Sequence, residues 1–407
     1  MSKKKEKVPI VRFRDFSEPW LKTQLSEVAE FSKGKGYSKK DLQSHGTPII
    51  LYGRLYTNYE SAISNIETYA KLEENSVISE GGEVIIPASG ESADDISRAS
   101  CVIDRGIILG GDLNIVRPHE YLNSLFIAIT LSNGSQQREL SKRAQGKSVV
   151  HLHNSDLKAV KLFYPSYEEQ SAIGSLFRTI DDLLASYKNN LANYQSLKAT
   201  MLSKMYPKAG QTVPEIRLDG FERKWEKKKL IDLVSPVSRK VKKPSDPYYR
   251  LSIRSHAKGT FKQFVDDPKK IAMDNLFEVK ENDLVVNITF AWEHAIAVAS
   301  KEDDGLLVSH RFPTYVIDKS DKNFINIYIK REEFRQKMDL LSPGGAGRNR
   351  VLNVKDFINI QMTVPELEEQ QSIGAYFSNL DNLIAAHQEK ITQLETLKKK
   401  LLQDMFI

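Results

Sequence analysis

The stretch PSYEEQSAIGSLFRTIDDLLASYKNNLANYQSLKATMLSKM, residues 165–205, recurs as PELEEQQSIGAYFSNLDNLIAAHQEKITQLETLKKKLLQDM, residues 365–405. The copies align without a gap. Fourteen of 41 positions are identical: Pro165/Pro365, Glu168/Glu368, Glu169/Glu369, Gln170/Gln370, Ile173/Ile373, Gly174/Gly374, Phe177/Phe377, Asp181/Asp381, Leu183/Leu383, Ala185/Ala385, Leu197/Leu397, Lys198/Lys398, Leu202/Leu402 and Met205/Met405. Ordinary residue usage gives about two or three by chance. A unit of this length is too long for a solenoid repeat. It implies two domain-sized halves, each ending in the same helix.

Within each copy the apolar residues step by four and three in turn. The first runs Ile173, Phe177, Ile180, Leu184, Tyr187, Leu191 and Tyr194; the second runs Ile373, Phe377, Leu380, Ile384, His387, Ile391 and Leu394. This is the heptad seam of a coiled coil. A second consecutive step of three leads on to Leu197 and Leu397 and should overwind the supercoil locally. Prolines 165, 207 and 365 bracket the helices, where a missing N–H is tolerated or the helix must stop. Forty helical residues rise about 60 Å. One such helix cannot bury its stripe alone, and the matching partner is the other copy. Two-fold symmetry between the halves makes the pair antiparallel.

The openings repeat as well. Val8, Pro9, Arg12, Phe16, Trp20 and Leu25 match Val213, Pro214, Arg217, Phe221, Trp225 and Leu230. Between opening and closing segments the halves diverge, so a constant frame carries two different inserts. The first insert predicts strands at 49–56, 83–87, 101–109, 113–116 and 149–152, with a helix over 120–131. The second predicts strands at 249–253, 283–289, 295–299 and 314–317, with a helix over 324–338. Each closes through a glycine-containing loop, a strand, an aspartate (Asp156, Asp356) and a strand into the proline. Interspersed strands and helices give an α+β or α/β class. The expected architecture is two mixed domains, 1–164 and 207–364, joined by long helices at 165–206 and 365–407 in an antiparallel coiled coil with pseudo-two-fold symmetry.

Composition fits a soluble globular chain: 407 residues, 40% hydrophobic and 28% charged, with no apolar run long enough to span a membrane. The charged N-terminal segment has no apolar stretch behind it, so no signal peptide is expected. Cys101 is the single cysteine, which excludes an internal disulfide or a cysteine-based zinc cluster. Together these read as cytoplasmic. Net charge is +6 and uneven. Residues 222–243 place nine basic side chains (Arg223, Lys224, Lys227, Lys228, Lys229, Arg239, Lys240, Lys242, Lys243) against Glu222, Glu226 and Asp232. Such a cluster suits a phosphate backbone, where each neutralised phosphate releases counterions, or a solvated basic helix end.

Loops that combine glycine with basic or polar residues are the candidate contacts. Gly344-Gly345-Ala346-Gly347-Arg348-Asn349-Arg350 stands out, because glycine permits close backbone approach and Arg and Asn match the major-groove edges of guanine and adenine. Its counterpart holds Gly146, Lys147 and Ser148. Lys35 and Arg54 in the first half, and Lys240, Lys242, Arg250, Arg254 and Lys258 in the second, complete the set. His151 and His153 share strand spacing, but no acidic or cysteine cluster accompanies them as a metal site requires. No phosphate-binding Gly-Lys-Ser/Thr loop and no nucleophile elbow occurs. Ser245-Asp246-Pro247-Tyr248-Tyr249 reads as a turn entering a strand. The chain reads as a recogniser with no catalytic residues of its own.

The openings Val-Pro-x-x-Arg-x-x-x-Phe-x-x-x-Trp (Val8–Trp20, Val213–Trp225) and the closings Pro-x-x-Glu-Glu-Gln-x-x-Ile-Gly-x-x-Phe (Pro165–Phe177, Pro365–Phe377) carry a resemblance. Over essentially its whole length the chain resembles the specificity subunit of type I DNA restriction–modification enzymes. The resemblance implies two target recognition domains, each reading one half of a bipartite double-stranded DNA site, with the coiled coil fixing the spacer. It implies two modification subunits as partners, which use S-adenosylmethionine to methylate adenine, and restriction subunits that use ATP and magnesium to translocate and cleave. No cofactor is expected on this chain. His387 departs from an apolar seam. Two other classes stand beside this one: a coiled-coil scaffold joining two protein-binding domains without DNA, and an enzyme with its own methyltransferase centre, which lacks the needed cofactor loop. Salt-dependent duplex binding separates the first two.

Overall fold

The repeated Arg, Glu, Gln and Gly of the motifs each have a structural task, and it is the same in both halves. The computed structural model describes residues 9–93, 95–146, 149–208, 210–342 and 350–406. Two compact units emerge: 1–189 with 387–407, and 190–386.

In the first unit, the strand after Trp20, Leu21–Gln24, pairs antiparallel with Lys161–Tyr164, the strand that leads into Pro165. In the second, Glu226–Lys229 follows Trp225 and pairs antiparallel with Gln361–Val364. Opening and closing segments therefore clasp each other at neighbouring points. The clasp is closed by a charge pair. Arg12 Nε donates to Glu169 Oε1 at 2.7 Å and its Nη2 to Oε2 at 2.6 Å. Arg217 and Glu369 repeat this fork at 2.7 and 2.7 Å. The carboxylates are 1% and 0% exposed. Burial of that depth demands full pairing, and the planar guanidinium supplies two parallel donors at once. The bonds to the carboxylates hold both arginine pKa values above the ordinary value. Each Nη2 also donates to a backbone carbonyl, Glu18 at 2.6 Å and Arg223 at 2.5 Å.

The next motif residues dock a second helix. The Gln170 side chain donates to the Pro165 carbonyl at 2.9 Å and accepts from the Asn123 N–H at 2.9 Å. Gln370 does the same with Pro365 at 2.9 Å and Asp321 at 3.2 Å. Asn123 and Asp321 are the N-caps of helices Ser124–Leu131 and Lys322–Tyr328. Gly174 and Gly374 let the long helix approach those caps. A Cβ would stand 3.2 Å from Asn123 Oδ1 in one unit and 2.3 Å from Asp321 Oδ1 in the other.

The long helices are Tyr167–Lys204 and Leu367–Asp404. In the first unit the start of the former lies beside the end of the latter. Asp181 pairs with Lys398, Lys188 with Glu395 at 2.8 Å, and Phe177 packs on Phe406 with ring centroids 5.8 Å apart. Partners advance along one helix as they recede along the other, so the pairing is antiparallel. The second unit repeats it: Lys198 pairs with Asp381, and Tyr206 enters the core that holds Ile373 and Phe377. The repeated Asp and Lys are thus each other's partners across the helix pair. Ile173, Phe177, Ile180, Leu184, Ile373, Phe377, Leu380 and Ile391 are buried, and Tyr187, Leu191, Tyr194, Ile384, His387 and Leu394 half-buried. His387 meets Tyr187 edge-on at 5.3 Å. The seam does not continue to Leu197 and Leu397, which are 38% and 47% exposed; Met201 and Leu202 pack on the second unit's core and Leu401 and Leu402 on the first's.

The inserts are mixed sheets. The first has a five-stranded sheet ordered Ala29–Lys33, Leu113–Pro118, Glu83–Pro87, Ser100–Val102, Ala62–Ile63, and a four-stranded one ordered Ile108–Leu109, Thr47–Ile50, Tyr69–Ala70, Leu42–Gln43. The second has a four-stranded sheet ordered Ser235–Val237, Thr314–Val316, Asp283–Val286, Ile296–Val298, and a five-stranded one ordered Lys240–Lys242, Asn275–Glu278, Leu307–Val308, Tyr248–Ile253, Thr260–Val265. Several expectations change. The strand predicted over 49–56 ends at Ile50, and Arg54–Thr57 is a short helix. The strand predicted over 101–109 is split by the turn at Gly106, with φ of 82°. The helix predicted over 324–338 is two, Lys322–Tyr328 and Glu332–Leu340, because Arg331 turns extended and caps the second. Asp156 and Asp356 sit in short helices, Asn154–Lys158 and Val354–Phe357. The basic run 226–229 is strand, not a helix end.

The fork sets an expected outcome. Arg12→Ala strands a buried carboxylate and costs about 3 kcal/mol or more, whereas Arg12→Met with Glu169→Leu costs less than that single change. Chemical unfolding of the three chains checks this; a double variant less stable than Arg12→Ala would contradict it.

Candidate nucleic-acid interface

The sequence candidates fall into three groups in the structure. Some are consumed by internal partners. Arg54, 15% exposed, donates to Glu60 at 2.6 Å and to the Asn65 carbonyl at 2.7 Å. Arg350 donates to Asp339 Oδ1 at 2.6 Å and to the Ser342 carbonyl at 2.8 Å, and lies 5.6 Å from the Trp292 ring centre. From the basic run, Arg239 forks onto the buried Asp283 at 2.5 and 3.2 Å. Others lie outside the described residues: Lys147, Ser148, Gly345, Gly347, Arg348 and Asn349.

The third group is exposed or half-exposed. Lys35 stands after the strand Ala29–Lys33, its N–H donating to the Leu109 carbonyl at 3.2 Å. Gly146 is in the loop after helix Gly134–Arg143, beside the Gln145·His151 bridge. His151 and His153 are exposed with their rings stacked 6.4 Å apart. Among the described residues no cluster of three or more metal-ligating side chains occurs. In the second unit Lys240 and Lys242 alternate with half-buried Val241 along an edge strand. Arg250, Arg254 and Lys258 come together on the hairpin whose strands are Tyr248–Ile253 and Thr260–Val265.

That hairpin borders a cleft of about 280 Å³, walled by Tyr248, Arg250, Ser252, Asn287, Ser309 and Arg311 among others. Its hydroxyls, amide and two guanidiniums stand among apolar walls that include Ile271, Met273, Phe290 and Phe312. Sequence reading missed Asn287 and Arg311, and also Phe261 and Gln263, which position the hairpin arginines. None stands in a glycine-rich or strongly basic run, so composition offers no signal for them. Buried His294, at the end of the short turn Ala291–Glu293, is left-handed with φ of 62°. Its Nε2–H donates to the Ile329 carbonyl at 2.6 Å. Burial pushes its pKa below the usual imidazole value, against that hydrogen bond. Elsewhere, burial drives the Cys101 thiol up to about 12, which removes the thiolate that nucleophilic chemistry needs.

Comparison with known proteins places this geometry. Residues 17–194 and 222–396 match the family described as type I restriction modification DNA specificity domain. The chain is 20% identical over 404 residues to the type I restriction enzyme MjaVIII specificity subunit of Methanocaldococcus jannaschii, covering 95% of this chain and 91% of that protein. It is 21% identical over 327 residues to the putative MjaX specificity subunit of the same organism, covering 73% and 70%. A crystal structure of a type I restriction–modification S subunit from M. genitalium shares the fold, with a TM-score of 0.57 at 13% identity over 98% of this chain and 99% of that one. The chain belongs to the type I restriction–modification specificity family, whose members are the non-catalytic DNA-recognition subunits of those systems.

Proposed function

We propose that the two inserts, within 1–164 and 207–364, each read one half of a bipartite double-stranded DNA site. The long helices, 165–206 and 365–407, set the spacer between the halves. On this reading the chain also carries two adenine-methylating modification subunits and recruits restriction subunits, in the cytoplasm. S-adenosylmethionine, ATP and magnesium are then held by those partners and none by this chain. The observation that carries the reading is one frame built twice around two unlike inserts: the same Arg–Glu fork, the same glutamine bridge and the same helix pairing. A frame kept constant suits distance and partner docking, and an insert that changes suits sequence choice. Leucines exposed at equivalent places, Leu183 with Leu383 and Leu197 with Leu397, give the modification subunits matching apolar contacts. No helix among the described residues is long and apolar enough to cross a membrane.

Half-sites read from one face of B-DNA lie near one helical turn apart, about 34–36 Å, and a paired rod fixes such a span better than a flexible linker. Removing one heptad from each long helix, within 181–200 and 381–400, shortens each by about 10 Å, or about three base-pair steps. Methylome sequencing of a host carrying the complex is expected to show a spacer shortened by about that number with both half-sites intact. Altered half-sites with an unchanged spacer would contradict the ruler. Exchanging residues 226–350 for those of a relative is expected to change one half-site alone; a change in both would overturn the two-reader assignment.

A further inference from the structure

The second unit's hairpin arranges its arginines in a way no other described candidate shares. Arg250 lies opposite Gln263 and Ser252 opposite Phe261. Arg254 prolongs the first strand, its N–H donating to the Gly259 carbonyl at 2.9 Å. Side chains alternate along a strand, so Tyr248, Arg250, Ser252 and Arg254 share a face with Gln263 and Phe261. Thr260–Val265 is the edge strand of its sheet, so the hairpin has one free flank. Both guanidiniums are held by neutral partners. Arg250 Nε donates to Gln263 Oε1 at 2.9 Å. The Arg254 guanidinium lies 5.0 Å from the Phe261 ring centre and donates to the Thr260 carbonyl. Among the described residues no carboxylate pairs with either, unlike Arg54 and Arg350.

The hairpin tip is clamped as well. The N–H groups of His256 and Ala257 donate to the carbonyls of Glu293 and His294, both at 2.8 Å, and Ser255 Oγ donates to the Glu293 carboxylate at 2.5 Å. His256, Ala257 and His294 hold φ of 60°, 48° and 62°. Left-handed backbone at non-glycine positions persists only where its surroundings enforce it, and it concentrates at functional sites.

We propose that this face is the base-reading element of the second recognition domain. Arg250 and Arg254 are its specificity-determining residues for two guanines, and Gln263 and Phe261 are positioning residues. The inference rests on the DNA-recognition reading above. A two-stranded ribbon fits the major groove, and a guanidinium fork matches guanine O6 and N7. Four extended residues span about 13 Å, close to four base-pair steps of about 3.4 Å. The two guanines therefore lie about four steps apart. Side chains already held in place lose less freedom on docking.

The test uses the complete complex in a host, read by methylome sequencing, on the half-site that follows residues 226–350. Arg250→Lys keeps the charge but loses the fork. It is expected to relax one guanine of that half-site, with discrimination falling roughly tenfold or more. Gln263→Leu is expected to relax the same position more weakly, and Arg254→Lys a second position about four steps away. The other half-site, still read strictly, shows that each variant folds. If Arg250→Lys silences methylation, competition binding of the complex to duplexes bearing each base pair at that position replaces it. An unchanged base preference, or methylation lowered evenly without any base relaxing, overturns the inference. A parent complex that methylates no bipartite sequence overturns instead the reading on which it rests.

Discussion

Two buried carboxylates, Glu169 and Glu369, set the terms for everything around them. An ionised carboxylate shut off from water is tolerated only when fully paired, and in each unit the partner comes from the far end of the same half, Arg12 or Arg217. The fork ties the opening segment to the first turn of the long helix. The glutamine that follows ties that turn to the cap of a second helix, and the glycine four residues on permits the close approach. Four motif residues thus fix three elements. Such a buried pair contributes less to net stability than well-packed apolar residues would, and its value here is orientation.

The inserts answer to weaker rules. Their sheets bury apolar strands such as Val84–Ile86 and Leu284–Val286 completely, while their loops and edges carry the charge. Net charge is a poor guide there. Arg54, Arg239 and Arg350 look as available in sequence as Arg250, yet each is matched by an acid of its own unit. What separates an arginine that supports the fold from one that faces outward is the charge of its nearest neighbour. Gln263 beside Arg250 leaves the positive charge uncancelled; Asp339 beside Arg350 does not.

The long helices were legible because the four-three spacing has no other good explanation, and because the motif appears twice. The strand Tyr248–Ile253 was nearly as plain from its alternation. Its partner Thr260–Val265 was not, since an edge strand exposed on both faces shows no apolar period. The strict heptad ends at Tyr194 and Leu394, and the next step of three, to Leu197 and Leu397, leads out of the seam. Spacing alone does not say what such a leucine meets; at that level the long helix packs on a domain core through Met201 and Leu202. The tasks of Arg12 and Glu169 were also hidden. The residues were visible as repeats, but nothing in a one-dimensional pattern says that positions so far apart share two hydrogen bonds. Residue type alone marks the exposed candidates in the sequence, and type does not reveal Phe261 under Arg254.

The tail of the second long helix has a bearing on synthesis. Met405 and Phe406 fill the same core as Trp20, Phe126 and Phe177. A ribosome makes Phe406 long after Trp20, once both inserts and both long helices have been synthesised. Until then the first unit has a hole where an aromatic ring belongs, and contacts between such distant positions form slowly. The nascent amino-terminal half therefore waits, incompletely packed, for a plug carried by the second long helix, and its maturation is coupled to synthesis of that helix.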